Sequence, residues 1–359
     1  MRFITGIVAT LISLIGLAAP AVAQGIGKTS SASLQSQEVK FDGHGVSLAG
    51  TLLIPKLEAG KRAPGVLIIA ASGRTSRDGI TFGKTEHEIY REIAENLAVR
   101  GAVVLRFDKR CAGASQCKNA ETFDDYIDDA RNALKLLRKQ DQVDPSRIFI
   151  FGHGEGALIA ASIATHEEEK IAGVILAAMA GRTLGKVVRD QVITRMNESG
   201  KPQSEIDAYL AKYERVVKGI AGGRIEFPEV KLDPKDPHDE ILIGFIKRYL
   251  VVTSLLINDP LQVVIGVKAP ILVLQGKKDT HVAVKDAQFI EEALKRAYHP
   301  DATLSLFDDV DHLLKTNKDA ATMSSLEDSS RTMDPVVLKV VAEWLEKKSN
   351  TVKVASDKK

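Results

Sequence analysis

The sequence is poor in three things. Aromatic residues make up 5% of the 359 positions, with a single tryptophan, so a buried core has to be assembled from Leu, Ile, Val and Ala. Net charge is nearly absent at +2, and no basic stripe with interleaved aromatics is present. That combination argues against nucleic acid or an anionic membrane surface as a partner. Cysteine is scarce, with two residues. Two thiols without clustered histidines do not supply the roughly four ligands of a zinc site.

Long apolar runs are also missing, with one exception at the N-terminus. Met1-Arg2 is followed by an apolar stretch from Ile4 to Leu17 and then by Ala21-Val22-Ala23. This order of positive start, short apolar core and small-x-small site predicts a signal peptide over 1–23, cleaved before Gln24. The alternative is a retained anchor, for which the apolar core is short, since a spanning helix needs about 20 residues. Export implies a secreted or periplasmic location, and no membrane span is expected once the signal is removed. In an oxidising compartment Cys111 and Cys117 are expected to form a small disulfide loop, with two free thiols as the alternative.

What is present is repeated alternation of strand and helix. Residues 24–36 read as a flexible tail. Val39 and Phe41 alternate with polar residues before the turn Asp42-Gly43-His44-Gly45. Val66 to Ala71 is an unbroken apolar run, the pattern of a strand buried on both faces. Helices are expected over 86–100 and 122–140, the second opening with Thr122 and Asp125 in capping-box spacing. A strand over 147–151 follows the turn Asp144-Pro145-Ser146, and a further helix and strand bring the chain to Ala178. From 181 to 267 the pattern is helical only, which predicts an inserted cap. Alternation resumes at Ile271, and a last helix is expected to end near Lys347, leaving 349–359 as a polar tail. The fold expected is α/β, a mostly parallel sheet with helices on both faces, its core built from 37–180 and 268–348. Function in such sheets gathers at the carboxyl ends of the strands.

Three such ends carry chemistry. Ile148-Phe149-Ile150-Phe151-Gly152-His153-Gly154-Glu155-Gly156 runs a strand into a helix through alternate glycines. A phosphate-binding loop is excluded by the lack of Gly-Lys-Ser/Thr and of Gly-x-Gly-x-x-Gly spacing. Downstream, Ile271 to Gln275 leads to Asp279, and Leu304 to Phe307 leads to His312. Turn, acid and histidine in this order resemble the α/β-hydrolase superfamily, in particular secreted esterases and the serine aminopeptidase-like group. Two further loops share the resemblance: Arg106-Phe107-Asp108-Lys109-Arg110 with its following Cys111-Ala112-Gly113-Ala114-Ser115, and Ser72-Gly73-Arg74-Thr75-Ser76-Arg77-Asp78.

The resemblance implies that Asp279 is the acid and His312 the base of a triad, with Asp309 and Asp311 as rival acids. It implies an oxyanion hole from the backbone N–H groups of Glu155 and of the Ser72–Gly73 loop. The substrate class implied is a small-molecule acyl ester or a short amide, with no metal and no organic cofactor. At the position where the family carries its serine nucleophile stands Gly154. Three readings follow: an inactive scaffold that binds a ligand or partner, an enzyme working from the Asp279–His312 pair alone, or a replacement hydroxyl, for which Ser72 is the candidate. His153 reads as a packed residue of the turn, and His281 has no assigned role.

Overall fold

A computed structural model describes residues 34–356, apart from 83–84, 119–120, 319–321, 323 and 329. The expected signal peptide lies outside the described residues. The chain opens with β1 (Gln35–Asp42), β2 (Ser47–Ile54) and β3 (Ala63–Ile69), followed by a short hairpin, β4 (Ile80–Phe82) and β5 (Thr85–His87). Then come α1 (Ile89–Val99), β6 (Val103–Phe107), α2 (Phe123–Arg138), β7 (Val143–His153), α3 (Glu155–Ala164) and β8 (Gly173–Ala177). Five helices interrupt the alternation: α4 (Leu184–Glu198), α5 (Gln203–Ala221), α6 (Pro237–Lys247), α7 (Tyr249–Ile257) and α8 (Pro260–Gly266). The chain then returns to the sheet with β9 (Ile271–Gly276), α9 (Val284–Arg296), β10 (Ala302–Phe307) and α10 (Pro335–Ser356).

The main sheet has eight strands in the order β1-β2-β6-β3-β7-β8-β9-β10. β2 is antiparallel to both its neighbours, and from β6 onward every pairing is parallel. The unbroken apolar runs of the central strands follow from cover on both faces. In β3, Leu67 and Ile69 belong to one core cluster while Val66 and Ile68 belong to the other. In β7, Ile148 and Ile150 face the first cluster, and Phe149 and Phe151 the second. Helices α2, α3 and α9 complete the first cluster; α1 and α10 complete the second. The inserted helices have a core of their own, with Val192, Ile206, Tyr213, Val216 and Leu242 fully or almost fully buried together.

Several boundaries differ from the sequence expectation. β1 starts at Gln35, within the stretch read as a tail. Its residues are mostly exposed, so it is held by pairing with β2 rather than by an apolar face. β7 includes Asp144-Pro145-Ser146, read as a turn, because it starts at Val143. The helix expected from Glu86 begins at Ile89, since Thr85–His87 pairs with Ile80–Phe82. α10 continues to Ser356, through the residues read as a polar tail. The capping box at α2 is formed: Thr122 Oγ1 accepts from Asp125 N–H, and Asp125 accepts from Thr122 N–H. Among the described residues no single helix is long and apolar enough to cross a membrane; the bent pair α7 and α8 passes a test of length and composition only.

Candidate active site

Three strand ends meet at one cavity of about 400 Å3, whose wall includes Ser72, Gly154, Glu155, His281 and His312. The turn from β7 to α3 owes its shape to its glycines. A Cβ on Gly152 would lie 2.3 Å from Gly156 O, and one on Gly156 would lie 2.4 Å from both Ala70 O and Ile69 O. Both positions therefore exclude a side chain. Gly154 is different. Its φ of 55° and ψ of −118° are strained for any residue with a side chain, yet a Cβ there would meet only Ala71, with its Cβ at 3.4 Å. The position has room and holds no functional atom. Its own N–H donates to Ala177 O at the end of β8 (2.9 Å).

Beyond β9, Asp279 is buried and surrounded by donors. Its Oδ1 accepts from the backbone N–H groups of His281 (2.7 Å) and Val282 (2.8 Å). Its Oδ2 accepts from Gln275 Nε2 (3.0 Å) and from His312 Nδ1 (2.9 Å). Burial pushes the Asp279 carboxyl up, and the His312 charge and hydrogen bond, helped by His281 and the Val282 N–H, bring it net below the usual value. Burial likewise pushes the His312 imidazole down, and the Asp279 carboxylate overrides it, lifting His312 above its ordinary value. Since a carboxylate only accepts, Nδ1 of His312 carries the hydrogen, and Nε2 holds the lone pair of the neutral ring. The rival acids lie elsewhere in the network. Asp311 pairs with Arg331 and accepts from Leu313 N–H, and Asp309 receives Asn317 N–H on its backbone carbonyl.

His312 is packed between two other imidazoles. His281 stacks on it at 4.8 Å between centroids, and His153 lies at 4.9 Å on a tilted plane. His153 fixes all three parts of the site. Its Nε2–H donates to His312 O (2.9 Å), and its Nδ1 accepts from Tyr90 Oη–H (3.0 Å). The Tyr90 oxygen in turn accepts from Ala71 N–H (2.8 Å), at the start of the Ser72 loop. Burial, then the neighbouring His312, hold His153 at about 3, so it stays neutral in this role. His281 is also held at about 3, by burial and then by His312.

Glu155 opens α3, and the N–H of a first helical residue has no acceptor within its helix. Its carboxylate is buried and accepts from Lys109 Nζ (2.7 Å), which also donates to Ala71 O (3.2 Å) and sits over the Tyr126 ring at 4.5 Å. The Ser72 carbonyl accepts from Thr75 Oγ1 (2.9 Å), and Gly73 takes a φ of 87°. Among the described residues no hydrogen bond joins Ser72 to His312. The two loops of the sequence motif bind each other: Arg77 donates to Asp108 (2.8 Å) and Arg106 to Asp78 (2.8 Å). Cys111 and Cys117 are joined in a disulfide in the loop that follows Lys109.

The eight-stranded sheet, its strand-to-helix elbow and the acid–histidine pair past β9 and β10 define an α/β-hydrolase fold. The comparisons agree. The family model described as serine aminopeptidase, S33, matches residues 81–319, and the chain belongs to that family. The esterase EstD of Thermotoga maritima is 27% identical over 318 residues, spanning 88% of this chain and 68% of the relative. A solved hypothetical protein of Pseudomonas aeruginosa superposes with a TM-score of 0.56 at 17% identity, covering 91% of this chain and 98% of that one. An esterase of Pyrococcus furiosus gives 0.52 at 18% identity, covering 78% and 83%. At these identities the structural likenesses speak for the fold alone.

Proposed function

We propose that the protein binds a carboxylic ester in this cavity and hydrolyses it slowly, with water in place of a serine hydroxyl. The observation that carries this reading is the state of Asp279. Four donors, one of them His312 Nδ1, hold its carboxylate, while position 154 offers space and nothing else.

In this route the neutral His312 Nε2 removes a proton from a water lying beside Gly154. The water oxygen attacks the carbonyl carbon, and Asp279 stabilises the imidazolium that forms. The negative oxygen of the tetrahedral intermediate is met by the N–H of Glu155 and by the Ser72–Gly73 loop. Collapse breaks the bond to the alcohol oxygen, which takes its proton back from His312. The products are an acid and an alcohol. The oxyanion hole and binding alone are expected to give about 10³–10⁴-fold over water, and the His312 base adds to that. The apolar N-terminal segment and the Cys111–Cys117 disulfide support an exported protein.

The test is turnover of a short-chain aryl ester by the native chain and by His312→Ala. A loss of at least about tenfold in the variant is expected. Equal rates would remove the base from the account, and no rate above the uncatalysed background in either protein would leave a ligand-binding role, which the bare position 154 favours. A fluorophosphonate should leave the protein unlabelled; covalent labelling of Ser72 would replace the water route by a serine route.

A further inference from the structure

A second cavity of about 510 Å3 lies against the first, sharing Gly244, Arg248 and Val251 in its wall and reaching the oxyanion loop at Gly73. The two chambers differ in character. The inner one is lined largely by apolar side chains such as Leu158, Val188, Phe245 and Val252. Around the outer one stand Arg74, Lys247 and Arg248, and among the described residues none of the three has a carboxylate within ion-pair distance. The inner wall also holds two other arginines: Asp286 (2.7 Å) and Asp190 (2.8 Å) hold the Arg182 guanidinium, while Arg195 has no carboxylate within ion-pair distance among the described residues.

Two acids lie near these cations without forming an ion pair to them. Glu121, itself in the outer wall, accepts from Tyr126 Oη (2.6 Å), Glu155 is paired with Lys109 (2.7 Å), and the charges of both act on Arg248 at longer range. Among the described residues Arg248 makes one hydrogen bond, to the neutral Tyr126 Oη (3.2 Å). Lys118 also lines the outer chamber, with its ammonium 3.9 Å from the place of a Cβ on Gly45 and its charge acting on Asp125.

We infer that the outer chamber receives an oxyanion group, carboxylate or phosphate, carried on the alcohol side of an ester whose apolar acyl group fills the inner chamber. Two guanidinium groups present planar forks suited to such oxygens, and Lys247 adds a point charge. The assignment of acyl and alcohol sides rests on the ester reading above; the charge preference does not, and it is measurable without turnover.

The experiment is calorimetric binding to the native full-length chain of three probes without a carboxylic ester: 4-acetamidobenzoate, 4-acetamidophenyl phosphate and the neutral 4-acetamidobenzamide. At low salt at least one anion should bind about tenfold more tightly than the neutral amide. The preference should shrink with added salt and fall several-fold in the double variant Arg74→Gln, Lys247→Gln, both exposed positions. Which anion binds more tightly separates carboxylate from phosphate. His312→Ala should keep the preference, so a failed hydrolysis assay leaves this result standing. Equal affinities for all three, no measurable binding of any, or a preference unchanged by the double variant would each overturn the inference.

Discussion

The ends of β9 and β10 and the end of β7 face the same cavity and are built in opposite ways. On the β9 and β10 side, every oxygen of Asp279 is satisfied, and His312 is stacked, hydrogen-bonded and shifted in its proton affinity. On the β7 side the turn is strained, with a positive φ at Gly154, and the residue there has no side chain. A buried carboxylate paired with a buried imidazole is costly to assemble unless each partner is matched. The furnished half therefore marks where the molecule invests its polar groups, and the bare half offers only backbone at position 154. Gly152 and Gly156 sharpen the contrast, because neighbouring backbone atoms exclude a side chain there, whereas Gly154 is disfavoured for one only by its positive φ.

The largest effect expected from breaking that contrast is on folding. Gly156→Ala sets a methyl group into the carbonyls of Ala70 and Ile69 and should cost about 3 kcal/mol or more in denaturant unfolding. Gly154→Ala meets only Ala71, at ordinary contact distance, and costs mainly its positive φ, about 1–2 kcal/mol. Similar costs at the two positions would erase the distinction between them.

A smaller effect concerns pH. His312 is raised above 6.5, so its basic form grows in as pH rises through that higher value. Ester turnover should rise with pH along the same limb, and a profile flat from neutral to mildly alkaline pH would contradict a His312 base. The stability from the pair has the opposite sign on this side. It is full below the unfolded value of His312, near 6.5, and lost as pH rises through the native one. At acid pH it is lost as Asp279 takes up a proton through its lowered native value. These are two views of one interaction and do not add. Thermal unfolding followed across pH should show a slope above 6.5 that His312→Ala flattens.

The legible parts of the fold are those with local signals. Apolar runs mark β3 and β9, Thr122 and Asp125 mark the start of α2, and alternate glycines mark the turn after β7. The positions of Asp279 and His312 follow from strand ends, and the structure brings the two side chains together. What was not legible depends on partners distant in sequence. β1 is a strand because β2 lies beside it. The links from Ala71 through Tyr90 and His153 to His312 join residues separated by 63 and 159 positions. The Lys109–Glu155 pair spans 46 positions, and no periodicity announces it. The complementary charges of Arg77-Asp78 and Arg106/Asp108 were visible as a motif, but their pairing with each other needed the sheet. His281 had no assignment because stacking on an imidazole leaves no mark in spacing.

The most direct measurement is the turnover of one short-chain aryl ester by the native chain and by Gly154→Ser. If the cavity lacks only its nucleophile, the variant should gain on the order of 10³-fold in kcat/KM or more, react covalently with a fluorophosphonate at position 154, and lose the gain when His312→Ala is added. A folded Gly154→Ser protein with native turnover and no labelling would contradict the account, because the other two strand ends would then no longer be set to use a serine.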